Sequence, residues 1–474
     1  MKYRPETIYS EIAKIYNEAA SSGQHPNELI HGILNALQKP NKTKGPIDHL
    51  RPIILLSMLR KILAVCMKSR INDRLHENIP PSQAAYRSWR STTEHVFAAK
   101  VLAETAMSSK DNPIFILMLD MSKAFDTVNR EILLRELSKV IEPDELHMIS
   151  LMLKTELQVR CGSSFSDTIK TNTGVPQGDG LSANEFTFYL ACAMTEPQCH
   201  TNEHCYAGKP QTLPFNDHTY SKKIEDEFTI NMQYADDISI ATSNPLTIDY
   251  AKLTLPPKLS QNHLYINDSK TEYYEIKRNG STDWKKCKLL GSLLDTEADI
   301  DRRKGLAIGT INSMKKIFYG TLPIEIKVRA FQCYVSSIFL YNSELWTLTA
   351  NTIKSIDGFH RKLLRTAVLN VSWPKVVSNQ EVYATTKVES WSLVIKKRQL
   401  SWLGHLIRLP DDTPAKRSFE YIQKPRAKPR GRQPLTWLTM MKKMVESHCM
   451  QWEKACVLAE DRLQWKDFMR QCLT

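Results

Sequence analysis

A continuous apolar run, Ile114-Phe-Ile-Leu-Met-Leu119, follows Pro113 and stops abruptly at Asp120. Such a run is far short of the ~20 residues a membrane helix needs, and it has the pattern of a strand covered on both faces. A strand of that kind needs helices or a second layer on either side, so the chain has to fold as a layered mixture of helices and strands. Its end also matters. A carboxylate there is held by a rigid element yet faces solvent, a suitable position for a hard divalent cation. Two further acids, Asp236 and Asp237, stand between segments 230–234 and 238–241, which alternate apolar and polar residues and read as a hairpin. Each motif also has an ordinary explanation: Asp-Asp suits any turn, and an Asp after a strand caps the helix that follows.

Elsewhere the pattern is mainly helical. Ile8, Ile12 and Ile15, then Leu29, Ile33, Leu34 and Leu37, predict two short helices broken near residues 23–26, followed by a basic, turn-rich linker over 39–46. Residues 51–75 have helical periodicity, with Leu55, Leu59, Ile62, Val65 and Cys66 on one side. Leu133, Leu134, Leu137 and Val140 predict an amphipathic helix capped by Asp126 or Thr127. Residues 168–175 look extended and lead into a Gly-rich turn, 174–180, then a helix with Phe186, Phe188, Tyr189, Leu190 and Ala193 inside. Strand signals become sparse beyond about residue 305, which suggests a boundary near 300; no internal repeat is visible.

The 474 residues suggest about three packed units. Sixty-four Lys and Arg against 51 Asp and Glu leave a formal charge of +13, which favours a polyanionic partner. The first ten residues lack a signal-peptide pattern, so the expected protein is intracellular, neither exported nor membrane-spanning. Ten scattered cysteines without a Cys-x-x-Cys pair read as reduced thiols. Cys199, His200, His204 and Cys205 form one cluster that could hold zinc, although the spacing matches no standard finger.

The order of the motifs carries a resemblance. Phe-Ile-Leu-Met-Leu-Asp-Met-Ser-Lys-Ala-Phe-Asp (115–126), Gly-Val-Pro-Gln-Gly-Asp (174–179) and Tyr-Ala-Asp-Asp (234–237) closely resemble palm motifs A, B and C of reverse transcriptases. Leu-Arg-Pro-Ile (50–53), Gln-Ala-Ala-Tyr-Arg (83–87) and Ser-Thr (91–92) look like fingers motifs of the non-LTR, LINE-type branch. Asn-Asp-Ser-Lys-Thr-Glu (267–272) resembles motif D and Leu-Leu-Gly (289–291) motif E. Trp-Leu-Gly-His-Leu-Ile-Arg (402–408) looks like the segment after the thumb.

The resemblance implies an α+β right-hand polymerase with a ferredoxin-like antiparallel palm sheet, mostly helical fingers and thumb, and a helical C-terminal extension. The implied divisions are residues 1–112 for the N-terminal extension and fingers, 113–300 for the palm, 301–385 for the thumb and 386–474 for the basic extension. It implies an RNA-directed DNA polymerase that joins deoxynucleoside triphosphates to a DNA primer on an RNA template, by two-metal phosphoryl transfer. Asp120 and Asp236 would bind Mg2+ or Mn2+, with Asp237 a weaker ligand. Lys270 would stabilise or protonate the leaving pyrophosphate. Phe125 would select deoxyribose by shape, although a core aromatic is the plainer reading of it. Gln177 and Gly178 would approach template and incoming base, and Arg51, Lys61 and Arg87 would grip the triphosphate. Tyr234 would pack near the primer end. Arg302, Arg303 and Lys304, with Lys428 and Arg430 in a Pro- and Gly-broken basic segment, would follow the phosphate backbone. That last segment also reads as a nuclear localisation signal, which favours the nucleus, or as a solvated loop. Trp391 and Trp402 have spacing suited to core packing or to base stacking.

Some features depart from the family. Gly180 and Ala183 stand where proline is usual, and Ala85-Tyr86 replaces a typical Gly-Phe. The expected endonuclease domain is not visible upstream, so the sequence reads as a fragment, a truncated copy or a domesticated gene. The rival reading is a catalytically silent nucleic-acid-binding relic, and an intron-type maturase is a third.

Overall fold

A computed structural model describes residues 6–23, 26–39, 43–109, 112–195, 228–372, 374–424 and 434–473. The candidate zinc residues Cys199, His200, His204 and Cys205, and the basic residues Lys428 and Arg430, lie outside the described residues.

Helix α1 (Glu6–Ser22) and one turn, α2 (Asn27–Ile30), lead into strands β1 (His31–Gln38) and β2 (Leu50–Leu56). Here the helical reading holds only for Leu29 and Ile30, and over 31–37 and 51–56 it is wrong. The apolar residues fall at spacings that fit a helix, yet β1 and β2 pair antiparallel from Gly32 opposite Leu56 to Gln38 opposite Leu50. β1 also pairs in parallel with the distant β4 (Thr155–Cys161). Short β5 (Ser164–Phe165) and β6 (Ile169–Thr171) complete that sheet against β4. Helix α3 (Met58–Glu77) begins only after Ser57, whose hydroxyl accepts from the Arg60 N–H at 3.1 Å.

The central sheet contains β3 (Ile114–Leu119), β7 (Thr229–Tyr234), β8 (Asp237–Thr242) and β9 (Glu272–Ile276) in the order β7-β8-β3-β9, with every neighbour antiparallel. Helix α4 (Thr92–Ser108) precedes β3. Helices α5 (Arg130–Leu137), α6 (Pro143–Leu153) and α7 (Ser182–Met194) come between β3 and the hairpin, and α8 (Pro245–Ser260) connects β8 to β9. This βαββαβ order is the ferredoxin-like arrangement. α5 is capped by Asn129, which accepts from the Glu131 and Ile132 N–H groups at 3.0 Å, rather than by Asp126 or Thr127.

β3 is covered on both faces, as its unbroken apolar run requires. Ile114 and Ile116 face a core shared with α4 and the helices beyond residue 296, whereas Phe115, Leu117 and Leu119 face a second core built with α3, α5, α7 and α8. The alternation is the period of two of a strand dividing two hydrophobic layers. A rigid sheet between two cores holds whatever projects from its end.

The remainder is helical, running from α9 (Thr296–Ser313) through Ala350–Leu363, Trp391–Ile407 and Pro414–Gln423 to Arg462–Leu473. Trp391 and Trp402 are buried there, in keeping with core packing. Two partly buried contacts fasten these helices to α4 and β7. The Glu104 carboxylate accepts from the Trp437 N–H at 2.7 Å, and Arg417 donates to the Thr229 carbonyl at 3.1 Å. Among the described residues no helix is long and apolar enough to cross a membrane.

Candidate active site

Register brings the acids together. Leu119 lies opposite Ile238 and Met118 opposite Ser239, so Asp120 comes level with Asp237 at the mouth of the hairpin. On its other side, Met118 lies opposite Glu272, and a bridge joins Met121 to Ile266. The Asn267 N–H donates to the Asp120 carbonyl at 2.8 Å. The single turn Asp268–Lys270 between these anchor points delivers Lys270, whose Nζ stands 2.8 Å from Asp120 Oδ2. Four residues from three distant segments therefore share one end of the sheet.

The turn carrying Asp236 is unusual. Tyr234 pairs with Asp237, and Ala235 between them has φ +53°, a value that side chains with a Cβ rarely adopt. Gln83, fully buried, holds it in place. Gln83 Oε1 accepts from the N–H groups of Ala235 and Ala85, both at 3.0 Å, and Nε2 donates to the Ala235 carbonyl at 3.2 Å. Flanking backbone bonds, Gln233 N–H to Ser82 carbonyl and Ala84 N–H to Gln233 carbonyl, strap the same segment to β7. In the sequence Gln83 stands out only as part of a motif, because its partner Ala235 lies 152 positions away.

The hairpin carboxylates are perturbed by burial and by Asp120. Desolvation and the charges of Asp236 and Asp120 push Asp237 up to about 6, although it keeps an exposed edge. Burial, then Asp120, raises Asp236, while Lys270 pulls in the opposite direction. Tyr234 is half-buried and packs edge-on against His95, with ring centroids 6.3 Å apart. Burial and Arg90 drive the His95 imidazole down to about 3, so it packs as a neutral ring.

The Gly-rich turn lies beside β2. Gly178 has φ +124°, and a Cβ there would meet the Ile54 carbonyl oxygen at 2.5 Å, so its freedom serves contact with this strand. The Gln177 carbonyl accepts from the Ile54 N–H at 2.9 Å, and Gln177 Nε2 donates to Asp126 at 3.0 Å. Arg130 braces the turn's entry by donating to the carbonyls of Gly174 and Thr171 at 2.8 and 2.6 Å. Phe125, partly buried, stacks on Phe186 with centroids 4.3 Å apart.

The basic candidates divide by what already holds them. Arg51 is exposed and Lys61 half-buried, and neither makes an ion pair among the described residues. Arg87 departs from expectation: its guanidinium is spent on the carbonyls of His76, Ile79, Pro80 and Gln83. Arg303, expected on the nucleic-acid track, is only 5% exposed and donates to the carbonyls of Gly291 at 2.6 Å and Ile338 at 3.1 Å. Arg302 also donates to Gly291, and Lys304 pairs with Asp301. An arginine missed in sequence is the buried Arg60 next to Lys61. It pairs with Asp179 at 2.9 Å and donates to the carbonyls of Leu29 and Met152, tying α2, α3 and α6 to the Gly-rich turn. Removing one partner of such a buried pair costs about 3–5 kcal/mol.

Comparison with known proteins places this geometry in a class. A family profile described as reverse transcriptase (RNA-dependent DNA polymerase) matches residues 37–294, more than half of the chain. The chain belongs to the reverse transcriptase family, and its relatives place it with the non-LTR mobile elements its motifs resemble. A transposon-derived protein of Caenorhabditis elegans is 24% identical over 271 residues, covering 52% of this chain and 96% of that one. The RNA-directed DNA polymerase from mobile element jockey of Drosophila melanogaster is 25% identical over 247 residues, 51% of this chain and 24% of its own length. The transposon TX1 149 kDa protein of Xenopus laevis is 26% identical over 187 residues, 39% of this chain and 14% of its own. The chain thus spans a quarter or less of the last two relatives. Among solved structures, apo telomerase from Candida tropicalis aligns over 89% of this chain and 73% of its own, with 11% identity and a TM-score of 0.40, too loose a likeness to bear on the argument.

Proposed function

We propose that this chain is an RNA-directed DNA polymerase of a non-LTR retrotransposon, extending a primer 3′-hydroxyl with deoxynucleotides on an RNA template. The observation that carries the proposal is the convergence of Asp120 with the Asp236–Asp237 hairpin, close enough for the Asp120 charge to raise the proton affinity of both hairpin acids. In the family's terms, residues 1–112 are the N-terminal extension and fingers, 113–300 the palm, 301–385 the thumb, and 386–474 the extension.

The donor set suits Mg2+ or Mn2+. It consists of carboxylate oxygens, and crowding among them is relieved by a divalent cation. Among the described residues no three His, Cys, Asp or Glu side chains close around an ion by themselves. That fits a site in which Mg2+ keeps one or two carboxylates and completes its shell with water and substrate phosphates. Bound there, the ions would activate the attacking hydroxyl and neutralise the leaving pyrophosphate.

The protein's own part is positioning. Asp120 and Asp236 would hold the divalent ions between the primer hydroxyl and the triphosphate, and Asp237 would support them. Lys270, 63% exposed and already beside Asp120, meets the departing phosphate. Phe125, fixed by its stack on Phe186, bars a 2′-hydroxyl. Arg51 and Lys61 remain available to the triphosphate, whereas Arg87 acts by shaping the loop. The test is primer extension on a primed RNA template with Mg2+. The parent should add deoxynucleotides, and Asp236→Asn should add none while still binding the hybrid. Undiminished extension by that variant removes the assignment.

A further inference from the structure

The loop that leaves Gln83 displays two aromatic side chains. Tyr86 and Trp89 have φ of +59° and +65°, rare for bulky residues, yet Tyr86 is 48% and Trp89 82% exposed. Strain of this kind persists where the surroundings impose it. Here Arg87, between the two, binds the loop to four carbonyls, while Arg90 donates to the Pro81 carbonyl at 2.8 Å. The loop is thus braced to hold an indole in water, which does nothing for folding. Tyr86 stands near enough to Asp236 for that charge to act on its hydroxyl. The two rings therefore lead outward from the acids.

At the outer end the loop meets the C-terminal helices. The Arg462 guanidinium lies over the Trp89 ring, 5.8 Å from its centroid. Arg462 is exposed and opens the helix Arg462–Leu473, a position where the helix dipole disfavours a cation. The neighbouring Asp461 carboxylate is occupied as the cap, accepting from the Leu463 and Gln464 N–H groups at 2.7 and 3.1 Å. Arg408, which ends the helix Trp391–Ile407, has a buried Nε without a partner. Burial and then Arg408, Arg462 and Arg90 all disfavour the charged form of His405, so these cations crowd one another. Arg90 is offset by Glu94 at 2.7 Å, but Arg408 and Arg462 make no ion pair among the described residues. Aromatic faces that accept any base, beside guanidiniums in need of counter-charge, are the elements of a single-strand track.

We propose that Tyr86, Trp89, Arg408 and Arg462 form a surface that takes the single-stranded RNA template on its way to the acids. The choice of RNA rests on the polymerase reading, because the product leaves as a duplex and the template is the single strand the reaction consumes.

The test is fluorescence anisotropy with the full chain and a DNA-primed RNA whose single-stranded extension is about twelve nucleotides, within the usual range of such tracks. The same duplex without an extension, and one with a DNA extension, are the controls. The parent should prefer the RNA extension over both. Trp89→Ala and Arg462→Glu should each weaken binding of the RNA-extended form about tenfold, as expected for loss of one stacked base or phosphate contact, and Trp89→Phe should retain it. Binding of the blunt duplex and the melting temperature should not change. Unaltered affinity in Trp89→Ala, or an equal loss on the blunt duplex, would overturn the surface. Equal preference for a DNA extension would overturn its assignment to template RNA. A parent that binds in this way yet adds no nucleotide sinks the polymerase reading alone, and one that polymerises with Trp89→Ala binding normally sinks the surface alone.

Discussion

Replacing Gln83 by Ala tests how the hairpin is held. The substitution leaves the N–H groups of Ala85 and Ala235 and the Ala235 carbonyl without their partner in buried surroundings. Two of the three lost bonds hold the turn itself, and at about 1 kcal/mol each their loss removes about 2 kcal/mol from it. The same bonds offset the positive φ of Ala235, whose cost relative to Gly is about 1–2 kcal/mol. Once they are gone the turn relaxes, and Asp236 withdraws from Asp120. About 2 kcal/mol expressed at the reacting atoms is about thirtyfold in kcat. KM for the deoxynucleotide should change far less, because Gln83 touches neither acids nor nucleotide. Ala235→Gly relieves the strain at source, so in the Gln83→Ala background it should recover about tenfold. Single-nucleotide incorporation by the two single variants and the double variant, with melting temperatures alongside, measures this. Unchanged kcat in Gln83→Ala, or a loss that tracks stability and is not relieved by Ala235→Gly, refutes the reasoning.

Other consequences are accessible to simpler assays. Burial and the Asp179 charge push Glu185 up to about 8, so the folded chain holds a proton there that the unfolded chain releases near 4.5. Its stability should therefore fall as pH rises from about 4.5 to 8, by up to ~1.4 kcal/mol per unit. Urea unfolding of Glu185→Gln should lose that slope, and an identical slope in both proteins counts against it. Gly178→Ala forces a Cβ onto the Ile54 carbonyl at a strained φ and should cost about 1–3 kcal/mol in urea unfolding. Phe125→Ala should admit ribonucleotides in primer extension, and unchanged sugar discrimination removes its gate role.

Much of the central sheet was legible in the sequence. β3 announces itself as an unbroken apolar run between Pro113 and Asp120, and the hairpin as alternation around two acids, because both patterns reflect burial on one local element. β1 and β2 were not legible. Ile33, Leu34 and Leu37 fit helical spacing, and the strand is held by pairing with β2 and with β4, the latter more than a hundred residues away. The same blindness applies to charges. Arg87 and Arg303 look like phosphate ligands in sequence, yet each satisfies backbone carbonyls whose positions only the fold determines. Gln83 was overlooked for a related reason: a polar side chain serving the backbone of another segment leaves no trace in local pattern. The placement of Asp120 and Asp236 at strand ends was readable because each borders a locally patterned strand, whereas Gln83 is placed by distant geometry alone.

The most direct measurement substitutes Fe2+ for Mg2+ in the presence of primed RNA and a deoxynucleotide, and maps where peroxide and ascorbate cut the polypeptide. The account predicts cuts close to both 120 and 236, lost together in Asp236→Asn. Cuts confined to other segments, or an unchanged pattern in that variant, would contradict a shared ion between β3 and the hairpin.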